Sequence, residues 1–375
     1  MRQMMLAACL LLAASPVLAQ TAQPAPGTFT IGADALLWWF QNAPTPVPLV
    51  SDGSLGEPGT HVLLGGGNLD TGKHPGLRLT FSYALEGGRT LEGNVFGVAT
   101  RSGSEGMSSS GSLTSEDLLM PYWDVLTDEE SFTQLSQAGV YSGSIEHEAK
   151  NSFYGAQAGM TFGAGQHGPL VLNLVLGARW LRFREYYAIH TTSEYIAPFP
   201  QDIWRTADEF NARNDFFGAQ VGVKARWECG AFYADAAVSV GAGVMAQTVD
   251  VKGSLLTDDF SEPGHPQVFT GGYFALPTNI GHYTRTTFGV VPEGSLEIGV
   301  KISSAFSLRA GYSALYVNDV IRAGRVVDRR INTTQSVSWV GEPPATLEGT
   351  PLPAVDLEGS GFWAQGLNAG VVFRF

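Results

Sequence analysis

The last nine residues, Leu367–Phe375, read LNAGVVFRF and decide how the chain folds. Apolar side chains occupy every second position and share one face: Leu367, Ala369, Val371, Phe373 and Phe375. A period of two residues indicates a β-strand with two unlike faces. Such a strand fits either a membrane barrel or the core of a soluble β-protein, so the rest of the chain must distinguish the two.

The end of the chain favours the membrane barrel. A strand in a soluble protein is usually followed by a polar tail, whereas this sequence stops on Phe375. That ending resembles the closing strand of bacterial outer-membrane β-barrels, in which the assembly machinery recognises the terminal aromatic residue and the alternation before it. We therefore expect Leu367–Phe375 to be an assembly signal, with the assembly machinery and outer-membrane lipid as partners.

The composition also suits a barrel. Of 375 residues, 46 are Gly, 15% are charged and 44% are hydrophobic, and the mean hydropathy is +0.03. Barrel strands alternate apolar and polar residues, so their average hydropathy stays near zero. After the N-terminal segment, no stretch has the roughly 18 consecutive apolar residues of a membrane-spanning helix.

The N-terminal segment has the parts of a secretory signal peptide. Arg2 gives a basic start, an apolar run follows from Met4 to Ala14, and small residues precede Gln20. We predict Sec export, cleavage after Ala19 and delivery to the outer membrane. The predicted domains are a signal peptide (1–19), a short leader (20–27) and one barrel domain (28–375).

The charge balance excludes some partners. Without the predicted signal peptide the chain has 21 basic and 35 acidic residues, a net charge of −14. This excess argues against nucleic acid as a partner. Acidic clusters such as Glu116-Asp117 and Asp128–Glu130 are most often solvated surface, and binding of divalent cations is the alternative. The oligomeric state is left open.

Ten segments show strand alternation, although Phe96 and Val98 interrupt it in the third. They begin near residues 28, 76, 90, 151, 170, 217, 232, 287, 306 and 367. Short turns near residues 87, 165, 229 and 304 alternate with long segments at 41–75, 102–150, 189–213, 248–285 and 318–360. Short periplasmic turns and long external loops are typical of outer-membrane barrels. We predict an all-β, transmembrane antiparallel barrel of about ten strands, or twelve if a loop contains a hairpin.

Charged residues lie on one face of nearly every predicted strand. A closed soluble core could not accept so many charges, so this face should line a wet lumen. The predicted lumen residues are Asp34, Arg78, Glu92, Arg179, Lys224, Arg226, Asp235, Glu293, Glu297, Lys301, Arg309 and Arg374. If opposite charges pair across a narrow bore they should block it, whereas separated charges would leave a water path.

Several segments resemble a known family. They are Ala35–Trp39, Ala43-Pro44, Pro46–Val50, Leu55-Gly56, Pro58–Thr60, Val62-Leu63 and Gly65-Gly66, and later Gly177–Arg179 with Leu181 and Glu185. They resemble the family named putative β-barrel porin type 7, outer-membrane barrels of planctomycete-type bacteria. The resemblance implies an outer-membrane barrel with a transport role.

The sequence therefore predicts a porin or narrow passive channel for small solutes. A non-conducting structural or adhesive barrel with surface-exposed loops is the main alternative. A third alternative is a barrel protease with a rim site built from His61, His74, His190 and Asp202. We predict no enzyme activity, catalytic residue, cofactor or dedicated metal site. A capping-box pattern at Thr127–Glu130, with Gly139 as a stop, predicts a short helix in the second loop.

Overall fold

A computed structural model describes most of the chain. The described residues are 24–196, 202–258, 265–335, 338 and 346–375. The predicted signal peptide and the first four residues of the predicted leader lie outside them. Within the described residues, no helix is long and apolar enough to cross a membrane.

Ten antiparallel strands form a closed ring in which each strand pairs with its neighbours along the chain. The strands are β1 (Phe29–Phe40), β2 (Lys73–Leu85), β3 (Arg89–Val98), β4 (Tyr141–His167), β5 (Leu170–Tyr195), β6 (Ile203–Cys229), β7 (Phe232–Asp258), β8 (Gly281–Lys301), β9 (Phe306–Val320) and β10 (Ser360–Arg374). The ring closes where β10 pairs with β1, with Phe373 opposite Ile31. The predicted all-β barrel of about ten strands is confirmed.

Two additional strands extend the sheet without entering the ring. Arg101–Ser109 pairs with β4 beyond the end of β3, and Gln267–Thr270 pairs with β7 beyond the end of β8. In the described part of the chain, these two strands lengthen the sheet at its external edge, and the ring itself has ten strands rather than twelve.

The outward face of the ring carries an apolar belt, which we name the lipid-facing belt. Leu77, Val238, Phe288, Leu296 and Ile298 are each 61–65% exposed. Leaving a large apolar side chain in water instead of burying it costs about 1.5–3 kcal/mol. A belt of many such side chains around the whole ring is suited to hydrocarbon.

Four central strands are longer than a membrane requires. Strands β4, β5, β6 and β7 contain 27, 26, 27 and 27 residues, whereas about 9–11 tilted residues cross a bilayer. The segments 102–150, 189–213 and 248–285 continue these strands in part. The prediction that these segments are loops throughout is wrong.

These strands continue because their alternation inverts outside the membrane. On β5 the outward residues change from Leu176 and Trp180 to Arg184, while inward-facing Tyr187 and Ile189 are apolar and buried. Water replaces lipid as the outer medium, so the polar residues now face out and the apolar residues face in. A search for outward apolar residues cannot detect this part of a strand.

The external connections fold into a second sheet. We name this sheet, together with segments 273–276 and 319–335, the cap. Its strands are, in order, Arg330–Ile331, Leu119–Asp124, Ala43–Ser51 and Val62–Leu69, with Glu129–Gln134 paired to Leu119–Asp124. Two 3₁₀ turns lie at Ala323–Arg325 and Thr333–Gln335. Leu49, Met120 and Ile331 are fully buried and pack in one cluster with inward-facing Phe210 and Val249 of the barrel. The cap therefore fills the external end of the barrel.

The predicted helix in the second loop is wrong, because this segment forms a hairpin of the cap. Trp123 lies opposite Glu130 in the hairpin. Asp128 closes the turn with a positive φ of 58°, and its N–H donates to the carbonyl of Asp124 at 2.9 Å. Cross-strand pairing and burial of Met120 outweigh the local helix signal.

The closing strand gives the first test. Phe375 donates its N–H to the carbonyl of Phe29 at 2.8 Å, and their rings stack with centroids 6.4 Å apart. Deleting Phe375 removes this closure and the expected assembly signal, so the yield of folded protein should fall severalfold. Heat-modifiable migration on denaturing gels measures that yield.

Deletion of Thr346, an exposed residue of the external segment, is the matched control. It should leave the folded yield near that of the unaltered protein. Equal losses in the two deletions would show that the terminal aromatic residue has no special part in assembly.

Candidate functional site

The periplasmic half of the lumen contains a cavity of about 600 Å³. The structure places eleven of the twelve predicted lumen residues on its wall: Arg78, Glu92, Arg179, Lys224, Arg226, Asp235, Glu293, Glu297, Lys301, Arg309 and Arg374. The twelfth, Asp34, is buried behind Arg309. Alternation puts all of these side chains on the inward face of the ring.

Arg309 on β9 binds Asp34 on β1 across the intervening strand β10. Two hydrogen bonds of 2.7 Å run from Nε to Oδ1 and from Nη2 to Oδ2. Asp34 is only 1% exposed, and this bidentate pairing offsets the loss of its hydration. Arg309 Nη1 also lies 3.5 Å from Oε2 of Glu297.

A second group of ion pairs lies nearer the periplasmic opening. Glu228 accepts 2.7 Å hydrogen bonds from Lys301 Nζ and from Arg226 Nε. Arg226 Nη1 also donates to Asp235 at 3.4 Å. Its guanidinium lies over the ring of Tyr233, with Cζ 4.2 Å from the ring centroid. These contacts hold the side chains against the wall.

Two further pairs connect distant walls of the ring. Arg179 on β5 donates to Glu293 on β8, and Lys224 on β6 donates to Glu92 on β3. Most of the lumen charges are thus paired, which is one of the two arrangements considered from the sequence. Because the cavity persists among them, the ion pairs do not themselves fill the bore.

The bore is closed by apolar side chains immediately external to the cavity, which we name the aromatic layer. Its aromatic members are Trp38, Phe40, Phe96, Phe153, Phe183, Phe216 and Phe362, each at most 9% exposed. The ring centroids of Phe183 and Phe362 are 4.1 Å apart, and those of Phe96 and Phe153 are 5.3 Å apart. Such distances are those of packed aromatic pairs.

The remaining strands complete the layer. Met245, Val291 and Leu315 extend it to β7, β8 and β9, and His74 of β2 stacks on Phe40 at 4.2 Å. Every strand of the ring therefore contributes a side chain to the closure at this height.

Sequence reasoning missed the aromatic layer because it identified the lumen by charge. The available signal was the interrupted alternation of β3, where Phe96 and Val98 both face inward. Trp38, between two outward-facing residues of β1, gave the same signal.

A buried ion pair joins the aromatic layer to the cap. Arg322 of the cap binds Glu185 of β5 through hydrogen bonds of 2.9 Å from Nε and 2.8 Å from Nη2. Both side chains are 1% exposed. Glu185 Oε2 also accepts the N–H of Ala323 at 2.9 Å, and Arg322 Nη2 donates to the carbonyl of Asn42 at 3.0 Å. The Arg322 guanidinium and the Glu185 carboxylate therefore both have hydrogen-bond partners.

Polar side chains of the barrel wall also hold the backbone of the cap. Asn214 accepts the N–H of Ile321 at 2.9 Å and donates to its carbonyl at 3.0 Å. Asp208 accepts the backbone N–H groups of Tyr273, Phe274 and Ala275 at 2.7–3.1 Å. Burial raises the pKa of Asp208 to about 6, and the three donors oppose this rise. The two carboxylate oxygens accept all three backbone bonds.

The four residues considered for a protease rim site have separate surroundings. His61 contacts Asp52 at 3.0 Å, whereas buried His74 contacts the carbonyl of Ala99 at 3.1 Å. Asp202 accepts from the indole of Trp204 at 3.3 Å, and His190 lies within β5. The structure does not bring these side chains into one described cluster.

The acidic loop residues considered for cation binding have protein partners. Asp117 accepts the N–H of Ala138 at 2.8 Å, and Glu130 pairs with Arg329. In the described ranges, no group of three or more His, Cys, Asp and Glu side chains is arranged to hold a metal ion. Cation binding at these loops stays an untested prediction.

A closed ten-stranded ring with a lipid-facing belt and a charged lumen defines an outer-membrane β-barrel protein. The chain belongs to the family described as "Putative beta barrel porin-7", whose profile matches residues 31–375. This match confirms the resemblance found near the N-terminus. The comparison with curated proteins found no match.

The chain is also similar to solved outer-membrane proteins. Outer membrane protease OmpT from Escherichia coli is 9% identical with a TM-score of 0.42, covering 92% of this chain and 97% of that one. The P. putida toluene transporter TodX is 10% identical with a TM-score of 0.20, covering 94% and 90%. Ail, the attachment invasion locus protein of Yersinia pestis, is 6% identical with a TM-score of 0.20, covering 93% and 99%. Function must therefore be argued from this chain's own residues.

The Arg322–Glu185 pair gives the second test. Replacing Glu185 with Ala leaves a buried guanidinium without its carboxylate, which costs about 3–5 kcal/mol. We expect the segment 319–335 to open more often, so that added protease cleaves it much faster in the folded protein. Mass spectrometry of the fragments locates the cleavage.

Replacing Arg330 with Ala is the control, since the side chain of Arg330 is 56% exposed and pairs with Asp328 in the same segment. An exposed pair is worth only about 0–1 kcal/mol. Similar cleavage of the two variants would mean that the buried pair does not anchor the cap.

Proposed function

We propose that this protein is a non-conducting outer-membrane barrel that holds a folded, surface-exposed cap. The observation that carries this proposal is the aromatic layer, whose side chains fill the lumen and are almost completely buried. A passive channel, the other function expected from the sequence, would need a water path at this height.

A solute would meet two barriers in series. It would first have to leave the polar cavity and enter packed rings, where an ion loses its hydration without gaining a partner. It would then meet the buried core of the cap, which includes Leu49, Met120 and Ile331. Eight-stranded barrels are filled by side chains and sixteen-stranded porins are open, so a filled ten-stranded barrel is physically reasonable.

The cap favours a structural or adhesive role. Its segments come from different external connections, yet they share one hydrophobic core. Bonds from Glu185, Asp208 and Asn214 hold its backbone to the barrel wall. A surface fixed in this way keeps one shape, which suits contact with a partner or neighbouring envelope component better than it suits a mobile gate.

Single-channel recording in a planar bilayer tests the proposal directly. The purified protein should give no conductance steps above the lipid baseline. The double variant Arg179→Ala with Arg309→Ala should also stay at baseline, because the closure lies beyond these ion pairs. Steps in the unaltered protein would refute the proposal, and steps only in the double variant would show that the ion pairs are the plug.

Chemical labelling tests from which side the lumen can be reached. In a Cys229→Ser background, Ser239→Cys places a thiol on the cavity wall. In oriented proteoliposomes a charged thiol reagent should modify it only from the periplasmic side. Thr346→Cys, on the exposed cap side, should react only from the other side. Modification of Ser239→Cys from both sides at similar rates would indicate an open path.

A further inference from the structure

Arg78 lies at the closed end of the cavity, and no group in the described part of the chain accepts a hydrogen bond from its side chain. The residue is 8% exposed, and its guanidinium lies against Trp38 with Cζ 5.8 Å from the ring centroid. The nearest carboxylate contact is Glu297 Oε1 at 4.0 Å, beyond hydrogen-bond range. That carboxylate already contacts Arg309 and accepts from Asn368 at 3.2 Å. Among the described residues, no side-chain hydrogen bond from Arg78 is formed.

Arg179 supplies a second unsatisfied donor in the same cavity. It is 5% exposed, and it donates to Glu293 through Nη2. Its Nη1 is buried without a partner in the described structure. Arg78 and Arg179 both line the cavity. Donors without a protein acceptor are available to a ligand that carries acceptor oxygens.

The charge of the cavity favours an anionic acceptor. Its wall carries eight basic residues and, with Asp34 included, six acidic residues, a net charge of +2. Arg89 and Arg374 are exposed near the periplasmic opening, without an ion pair in the described part of the chain. These two residues account for the net positive charge, so the opening of the cavity concentrates anions relative to the acidic surface of the protein.

We propose that the closed end of this cavity binds a small periplasmic anion through a carboxylate or phosphate group. The anion oxygens accept hydrogen bonds from Arg78 and from Nη1 of Arg179, as guanidinium groups commonly bind such anions. A volume of about 600 Å³ accommodates a small molecule. The site rests on the proposed function in one respect: the aromatic layer must close the external end of the cavity.

Isothermal titration calorimetry of the detergent-folded protein at low ionic strength tests the site. Inorganic phosphate and succinate are the two probes, and they separate phosphate from carboxylate recognition. We expect saturable binding of at least one probe with one site per chain. Arg78→Gln should weaken it at least about tenfold, since it removes charge-assisted hydrogen bonds. Arg330→Gln, which removes an exposed guanidinium on the cap, should bind like the unaltered protein.

A second variant covers the case in which Arg78→Gln fails to fold. Asn94→Phe fills space on the cavity wall while Arg78 stays in place, and it should also abolish binding. Heat-modifiable migration identifies the folded variants. The site is overturned if neither probe binds, or if Arg78→Gln and Arg330→Gln bind equally well. Conductance of the same preparation separately tests the non-conducting barrel, so the two failures are distinguishable.

Discussion

The bond between Arg322 and Glu185 is the contact on which the arrangement of the lumen depends. It puts two full charges, each almost completely buried, directly external to the aromatic layer. Separating them would leave either charge in an apolar environment, so the pair fixes where the last connection enters the barrel. The chain reaches this pair through Ile321, held by Asn214, and continues from it into the rest of the cap. The position of the cap therefore follows from the barrel wall.

Much of the fold could be predicted because membrane and water impose opposite demands on the two faces of a strand. The outward apolar residues, such as Leu77 and Leu296, repeat every second position and give the strand count. The same rule failed above the belt, where water lies outside and the cap lies inside. There apolar residues such as Tyr187 and Phe210 face inward. The alternation on these strands is therefore reversed, with apolar residues inside and polar residues outside.

Only the charged half of the candidate site could be predicted from the sequence. Charged residues such as Asp34 and Arg309 are unfavourable on the lipid-facing side, so alternation was enough to place them in the lumen. The aromatic layer needed knowledge of which strands are neighbours, because Phe96, Phe183 and Phe362 are far apart in sequence. The cap depended equally on long-range contacts: Arg330–Ile331 pairs with Leu119–Asp124 from a connection about two hundred residues earlier. Local patterns carry no information about such pairings.

The extended strands have an electrostatic consequence. On β6, the thirteen residues from Ile203 to Asp215 precede Phe217, the first residue of the lipid-facing belt on this strand. At about 3.3 Å per residue and a tilt of about 45°, they raise the external rim about 30 Å above the hydrocarbon. The Debye length at physiological salt is about 8 Å. The acidic groups of the cap are thus screened from the charged headgroups of the membrane, and an approaching molecule responds to the field of the cap alone.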